Sequence, residues 1–197
     1  MTKGQQGSFY PTTTKQGYDL YEVASAFQKA IRRGDEETAM FFAVELYNTG
    51  FDEYLWKRIR IITSEDIGLA EPALPASIYA LYQNYVDQKK RKDAKHPSER
   101  LFLTHAVLLL CRAKKSRLVD WTNIAFWNEH DRTHMAIPDY AYDKHNRKGR
   151  IMGRGLDHFY DEGTRLDNYA DVPGEAVMKE RARRAQEVTA WHKSKDK

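Results

Sequence analysis

Cysteine is almost absent from this sequence of 197 residues, which contains Cys111 alone. A single cysteine excludes an internal disulfide and a cysteine-rich metal site. The sequence also lacks an apolar stretch long enough to span a bilayer and an apolar signal core at its N-terminus. We therefore expect a cytoplasmic protein with no membrane partner.

A nucleotide-binding phosphate loop is missing as well. No Gly-x-x-x-x-Gly-Lys-Ser/Thr pattern occurs in the chain, so ATP hydrolysis by that route is excluded. The nucleophile elbow of serine hydrolases is also absent. The net charge of +4 is mild, and it permits an acidic partner without requiring one. We expect no enzymatic activity, no cofactor and no resident metal.

The sequence shows extensive helical periodicity in its apolar residues. Apolar residues recur three and four positions apart in Leu20–Ile31 and in Ala39–Leu46, while Gly34 stands where the first helix should stop and Asp35 where the second should be capped. No segment alternates as a strand would. The sequence predicts an all-α fold, namely a compact helical bundle followed by a basic, partly irregular C-terminal extension.

The same pattern divides the chain into four parts. We expect a flexible N-terminal arm over 1–17, a helical domain over 18–130, a basic loop-rich extension with a short helix over 131–174, and a basic C-terminal helix and tail over 175–197. A chain of this length forms one domain with tails by default.

The segment Ile61–Pro72 places two carboxylates, Glu65 and Asp66, in the last turn of a helix. The helix dipole opposes negative charge at that end, which predicts basic partners. The candidates nearby in sequence are Arg32, Arg33, Arg58 and Arg60. We interpret the pair as a structural ion-pair network at a helix corner, with direct catalysis by either carboxylate as the alternative.

The remaining residues of this corner predict its backbone. Gly68 is expected to end the helix with a positive φ, and Leu69 to fold back as the apolar partner of the cap. Pro72 stands where a new helix accepts proline at its first position.

A resemblance to a known family begins at this corner. The corner reads Ser64-Glu65-Asp66-Ile67-Gly68-Leu69-Ala70-Glu71-Pro72. This run resembles the Ser-Glu-Asp-Ile-Gly-Leu-Ala-Asp-Pro signature in the C-terminal region of the MgsA/RarA AAA+ ATPases, bacterial relatives of the Werner-helicase-interacting protein. The segment Ser25–Arg32 is similar to that family's opening helix, and Ala113–Ser116 to its Ala-Pro-Lys-Ser turn. The resemblance covers Tyr18 to Asp120, with Lys114 in place of the proline.

The resemblance implies an all-helical domain of the clamp-loader collar type, which in that family forms a homotetramer attached to a motor acting at stalled replication forks. The motor's activity is not implied, because the phosphate loop is missing. Met1 opens a tail of its own and the family pattern is expected to end after His130, so a stand-alone collar domain is implied, such as a phage or mobile element carries. Its implied partners are further copies of the chain, a host AAA+ ATPase, another replisome protein, or DNA.

A segment with five positive charges and no acid lies between positions 144 and 154. It consists of Lys144, Arg147, Lys148, Arg150 and Arg154, interleaved with glycines and preceded by Tyr140 and Tyr142. Exposed amides, cations and aromatic rings suit a phosphate backbone with stacked bases. We predict nucleic-acid contact here, with a solvated loop, pairing to neighbouring carboxylates or a protein interface as alternatives.

A second basic run contains Lys89, Lys90, Arg91 and Lys92. We include these residues among the candidates for phosphate contact, although a charge run on a loop is usually solvated.

Histidines and aspartates between positions 130 and 158 raise metal binding as a further alternative. His130 and His134 would lie together on a helix, and Asp143 and His145 would add ligands. Pro138 and the aperiodic sequence argue against a rigid helix there, so we predict no metal site.

Three functional hypotheses follow. The leading one is a non-catalytic accessory protein of DNA replication or repair that oligomerises and binds DNA, a replisome protein or both. The second is a protein-binding modulator of a host AAA+ ATPase, such as a phage factor, and the third is a small metal-dependent hydrolase. Salt-sensitive DNA affinity, co-purification with the ATPase and stoichiometric metal would distinguish them.

Overall fold

A computed structural model describes residues 13–91 and 97–195, with side chains described as far as Thr189. The predicted all-α fold is confirmed, since these residues form helices and no strand. The helices are α1 (Leu20–Arg33), α2 (Glu36–Asn48), α3 (Asp52–Ile62), α4 (Leu74–Arg91), α5 (Glu99–Arg112), α6 (Leu118–Glu129), α7 (Arg147–Ile151), α8 (Leu156–His158) and α9 (Glu175–Lys195). None of the helices in these ranges is long and apolar enough to cross a membrane.

The chain separates into two compact units, Met1–Arg132 and Thr133–Lys197. We call the first the helical bundle and the second the C-terminal unit. The helical bundle contains α1 to α6, and the C-terminal unit contains α7 to α9.

The predicted stop of α1 at Gly34 and the predicted cap of α2 at Asp35 are confirmed, and the structure shows a further cap at Asp19. The Asp19 carboxylate accepts from the backbone N–H groups of Tyr21 and Glu22, and the Asp35 carboxylate accepts from that of Thr38. These bonds satisfy helix N-terminal donors that would otherwise lack a partner. Gly34 ends α1 in the left-handed region with a φ of 71°.

The core of the helical bundle forms where the apolar faces of α1 to α5 meet. Aromatic and aliphatic side chains from every one of these helices are buried in it, including Phe27, Leu46, Trp56, Tyr85 and Leu110. The Trp56 ring packs 5.2 Å from that of Tyr85. Burial of this apolar surface is the main term that holds the bundle together.

The corner after α3 differs in part from its prediction. The chain continues through a π-turn, Thr63–Ile67, and a 3₁₀ turn, Gly68–Ala70, before α4. Gly68 has the expected positive φ, at 48°. The prediction for Leu69 was wrong, because its side chain is 65% exposed. The prediction for Pro72 was also wrong, because α4 begins at Leu74.

The N-terminal boundary also differs from the prediction of an arm over 1–17. Residues 13–17 form a turn against α2, in which the Lys15 N–H donates to Thr49 Oγ1 and the Gln16 N–H donates to Glu45 Oε1. The Thr14 side chain is buried in this turn. The remainder of the predicted arm lies outside the described residues.

The end of α5 is capped by a lysine. Lys115 Nζ donates to the carbonyl oxygens of Leu110 at 2.8 Å, Cys111 at 3.0 Å and Ala113 at 2.6 Å. A cation at this position neutralises the negative end of the helix dipole and satisfies terminal carbonyls. Burial lowers the pKa of Lys115 from its usual value.

We expect Lys115→Met to lower the free energy of unfolding of the helical bundle by about 1–2 kcal/mol, because three carbonyls lose their donor while the apolar stem is kept. Urea unfolding followed by circular dichroism measures the change. Lys114→Met is the control, since the Lys114 side chain is exposed. Equal stability of the two variants would contradict the capping role.

The C-terminal unit has a small interior. Among its described residues only Gly149 and Tyr160 are buried. Gly149 is pressed against the backbone of Asp143, where a Cβ atom would lie 2.0 Å from the carbonyl oxygen and 2.4 Å from the nitrogen. The rings of Phe159 and Tyr160 pack edge to face with centroids 5.3 Å apart. This unit therefore depends on a few close contacts more than on a large core.

Candidate functional site

The Asp66 carboxylate lies at the centre of the corner and is 1% exposed. Oδ1 accepts from Arg32 Nε at 2.6 Å, and Oδ2 accepts from Gln28 Nε2 at 2.9 Å. The same Arg32 guanidinium donates to Glu65 Oε1 at 2.7 Å. A single arginine of α1 thus holds both carboxylates, which satisfies the need for positive charge at this helix end.

Arg117 supplies the second cation of the corner. Its NH2 group lies 3.4 Å from Glu65 Oε1, and its Nε lies 3.5 Å from Asp66 Oδ1. The guanidinium also pairs with Asp120 and lies 4.4 Å from the centroid of the Trp121 ring. Arg117 therefore fastens the start of α6 to the corner.

Of the four arginines predicted from sequence to serve the corner, only Arg32 contacts its carboxylates directly. Arg58 donates to the Gln28 amide oxygen. Arg33 and Arg60 donate to backbone carbonyls of Lys29 and Trp56, one turn earlier in their own helices. Arg117 was missed because it lies 51 residues from Asp66 in sequence, and only the tertiary fold brings it near.

Two of the three segments that resemble the family, Ser64–Pro72 and Ala113–Ser116, bind each other. The Ser116 N–H donates to the Asp66 carbonyl at 3.0 Å, and the Lys114 N–H donates to Glu71 Oε1 at 2.7 Å. The Cβ that an alanine would add at Gly68 would lie 2.8 Å from Val119 Cγ2. These contacts give the corner a structural role, because its carboxylates are occupied by arginines and its backbone by the turn before α6.

The basic segment between positions 144 and 154 contains two residues that are tied into the fold. Arg154 is held by the Asp139 carboxylate at 2.6 Å and by the carbonyls of Asp139 and Tyr142. Lys144 Nζ donates to Gln186 Oε1 at 2.7 Å and lies 4.5 Å from the centroid of the Phe159 ring. These two cations stabilise the C-terminal unit through contacts within it.

The other three cations of this segment are exposed. Arg147, Lys148 and Arg150 belong to α7, and we call them the basic face. Lys148 Nζ lies 4.1 Å from the centroid of the Tyr142 ring, and Arg150 donates to the Lys144 carbonyl at 3.2 Å. Neither contact neutralises a charge. The basic face therefore presents three positive charges that no carboxylate pairs with in the described part of the chain.

The residues of the second basic run have different environments in the structure. Lys89 forms an ion pair with Asp52 and lies 5.6 Å from the centroid of the Tyr85 ring. Burial opposes the charged form of Lys89, but Asp52 outweighs it, so the pKa of this lysine is raised. Lys90 and Arg91 are exposed at the end of α4. Lys92 lies outside the described residues.

The histidines and aspartates considered as metal ligands are not brought together. Across 13–91 and 97–195, no three His, Cys, Asp or Glu side chains are placed to share an ion. The His145 ring packs against Phe159 with centroids 5.0 Å apart, and the Asp139 carboxylate is occupied by Arg154. The metal-dependent hydrolase therefore has no ligand cluster in this part of the chain.

Helix α6 carries a feature that we did not predict. None of its residues is buried, although it is an apolar helix with two tryptophans. Its large exposed side chains are Leu118, Val119, Trp121, Ile124, Phe126 and Trp127. The sequence contained no sign of this exposure, because apolar residues lie on all sides of the helix, which is typical of a buried helix.

The chain was then compared with known proteins. Residues 34–186 match the family model described as MgsA AAA+ ATPase C terminal. The chain is 30% identical over 164 residues to replication-associated recombination protein A of Bacillus subtilis, a match that covers 81% of this chain and 38% of that protein. It is 27% identical over 174 residues to the ATPase WRNIP1 of Dictyostelium discoideum, covering 81% of this chain and 18% of that one.

These comparisons correct one expectation from the sequence. The family pattern was expected to end after His130, yet the match continues to residue 186 and includes most of the C-terminal unit. The chain spans 38% or less of the length of these curated relatives. It is therefore similar to one portion of them.

Proposed function

Because the chain belongs to the family of MgsA AAA+ ATPase C-terminal domains, we propose that it is a non-catalytic accessory protein of DNA replication or repair that binds DNA through its basic face. It acts in the cytoplasm and associates with further copies of itself. Two of the relatives are named for replication-associated recombination, which supports the process.

The observation that carries the proposal is the unpaired charge on α7. Arg147, Lys148 and Arg150 project from a helix of five residues, so their charges lie within about 6 Å of one another along its axis. Such a cluster attracts the phosphate backbone and releases counterions from it. The Tyr140 ring is 76% exposed and supplies an aromatic surface on which a base stacks.

The backbone under the basic face is held in place. Asn146 caps α7 through its side-chain oxygen, which accepts from the Gly149 N–H at 2.8 Å. Gly149 rests on Asp143, and Arg154 ties the following turn to Asp139. Because these contacts fix the helix, binding costs little ordering of the chain.

The other cations predicted to contact nucleic acid are less available for DNA. Arg154 and Lys144 are engaged within the fold, so we assign them a supporting role. Lys90 and Arg91 form a second, weaker candidate contact, because they provide two exposed charges where the basic face provides three.

The experiment is a titration of labelled single-stranded and forked DNA, followed by fluorescence anisotropy at about 50 mM salt. We expect Arg147→Ala, Lys148→Ala and Arg150→Ala together to weaken binding at least about tenfold, because three phosphate contacts are lost. The charge-matched control replaces Lys15, Lys29 and Arg33, which are exposed on the helical bundle. Equal affinity of the two triple variants would overturn the assignment to the basic face.

A second candidate function is supported by the exposure of α6. The helix presents apolar side chains that a protein partner would cover, as expected for a modulator of an AAA+ ATPase. Sedimentation of the purified chain with a purified family ATPase distinguishes the two candidates. A complex that forms without DNA and survives loss of the basic face favours the modulator.

A further inference from the structure

A pocket lies inside the C-terminal unit, between residues 161–169 and the first turns of α9. We call it the α9 pocket. Its volume is about 690 Å³, which falls within the range of about 300–1,000 Å³ that is usual for small-ligand sites. Its lining includes Arg165, Leu166, Tyr169, Glu175, Met178 and Lys179.

Arg183 fixes the walls of the α9 pocket. Its guanidinium pairs with the Asp157 carboxylate at 2.6 Å and lies 3.4 Å from that of Asp161, which also lines the pocket. On the loop side, Thr164 Oγ1 donates to the Tyr160 carbonyl at 2.9 Å. These contacts join α9 to the loop and neutralise Asp161. A ligand therefore meets walls that are already in place, which lowers the cost of binding.

Three side chains of the α9 pocket offer apolar surface to a ligand. Tyr169 is 53% exposed, Leu166 64% and Met178 58%. An aromatic ring beside aliphatic side chains suits a flat ring such as a nucleobase, because every base has a face that stacks on an aromatic side chain.

The polar lining of the α9 pocket carries charges of both signs. Within residues 13–91 and 97–195, no carboxylate pairs with Arg165 or Lys179, and no cation pairs with Glu175. Glu175 disfavours a free phosphate or an acidic peptide, and the two cations disfavour a basic peptide. The edge of an unpaired cytosine satisfies both signs, because its amino group donates while its ring nitrogen and carbonyl oxygen accept.

We propose that the α9 pocket binds one unpaired base of a DNA single strand, with a preference for cytosine over thymine. The base stacks on Tyr169, and its amino group donates to Glu175. Its ring nitrogen and carbonyl oxygen accept from Arg165 and Lys179. The proposal rests on the proposed function, in which the basic face holds the phosphates of the same strand. A paired base hides this edge, so the pocket distinguishes single strands from a duplex.

Contacts within the C-terminal unit connect the basic face to the α9 pocket. Arg150 donates to the Lys144 carbonyl, and Lys144 Nζ donates to Gln186 of α9. Lys179 precedes Gln186 on the same side of α9, by about two turns or about 10 Å along the axis. A strand that the basic face binds therefore passes close enough to place a base in the pocket.

The test compares the affinities of the full chain for a cytosine-rich single strand, a thymine-rich single strand and a duplex, measured by fluorescence anisotropy. We expect Tyr169→Ala to weaken single-strand binding about tenfold, as loss of one stacking ring does, and to leave duplex binding unchanged. The matched control is Tyr79→Ala, which removes a ring that is 60% exposed on α4. Because Tyr169 carries no charge, its loss should keep the salt dependence of binding, whereas loss of the basic face should flatten it.

Glu175→Ala tests the preference for cytosine. We expect the unaltered chain to bind the cytosine-rich strand about fivefold or more tightly than the thymine-rich strand, and Glu175→Ala to abolish the difference. Glu180→Ala is the control, since Glu180 pairs with Arg184 on another side of α9. Equal affinity of the unaltered chain for the two strands would overturn the base contact.

Photochemical cross-linking locates the base without relying on any variant. A strand that carries one 5-iodocytosine, irradiated in its complex with the unaltered chain, should become linked to Tyr169. Links found only outside residues 161–179 would overturn the pocket.

The outcomes separate the α9 pocket from the basic face. Single-strand binding that Tyr169→Ala weakens more than Tyr79→Ala supports the pocket. Equal effects of these two variants overturn it, while the basic face stands or falls by its own triple variant. Failure of the unaltered chain to bind either strand at low salt overturns the pocket together with the proposed function.

Discussion

Replacing Asp66 by alanine should lower the free energy of unfolding of the helical bundle by about 3 kcal/mol. The carboxylate is 1% exposed and accepts hydrogen bonds from Arg32 and Gln28. Its removal leaves Arg32 with Glu65 as its one carboxylate partner, and Arg117 shares that carboxylate while it keeps its pair with Asp120. These arginine side chains are 28% and 31% exposed, so water solvates part of their unpaired charge. The expected loss of stability therefore lies at the lower end of the range found when one partner of a buried ion pair is removed.

Two further variants sharpen this measurement. Asp66→Asn keeps the shape and one acceptor, so the loss should be about half as large. Glu36→Ala removes an exposed pair with Arg112, which solvent screens, so its loss of stability should be the smallest of the three. Urea unfolding of the three variants gives the order directly. A loss below about 1 kcal/mol for Asp66→Ala would show that the corner is not held by this network.

Replacing Gly149 by alanine should unfold the C-terminal unit locally around α7, with a cost of about 3 kcal/mol. The added Cβ would meet the Asp143 carbonyl oxygen at 2.0 Å and its nitrogen at 2.4 Å. Both are backbone atoms, so no change of side-chain rotamer can relieve the overlap. Hydrogen exchange of the amides in 139–160 should accelerate about 100-fold, which corresponds to this loss.

Gly155→Ala is the matched control for this prediction, because nothing lies within 4 Å of the position that its Cβ would take. We expect its exchange rates to equal those of the wild type. DNA affinity should fall with Gly149→Ala and be kept with Gly155→Ala, since only the first displaces the basic face. Unchanged exchange in Gly149→Ala would contradict the close packing of α7 on Asp143.

The features predicted correctly from the sequence are those that depend on hydrogen bonds between residues close together in the chain. Gly34 and Asp35 act through bonds to residues one turn away or less, so their roles follow from position alone. The positive φ of Gly68 was predicted for the same reason. Leu69 was not, because its contacts depend on how the π-turn rotates the chain, and that rotation is set by Arg117 and Ser116 from a distant segment.

The candidate site was predicted less completely, for a similar reason. Sequence identified the basic segment but treated its five cations alike. Arg154 differs from Arg147 only because Asp139 and its neighbouring carbonyls face it in the folded unit. The exposure of α6 was likewise hidden, since an apolar helix reads the same in a sequence whether it is buried or uncovered.

The most direct test of the account is the salt dependence of single-stranded DNA binding by the unaltered chain. Three phosphate contacts from the basic face predict a slope of about −2 in a plot of log affinity against log salt concentration. Micromolar or tighter binding at low salt with that slope is the expected result. Absence of binding at low salt, or an affinity that does not change with salt, would contradict a role on DNA.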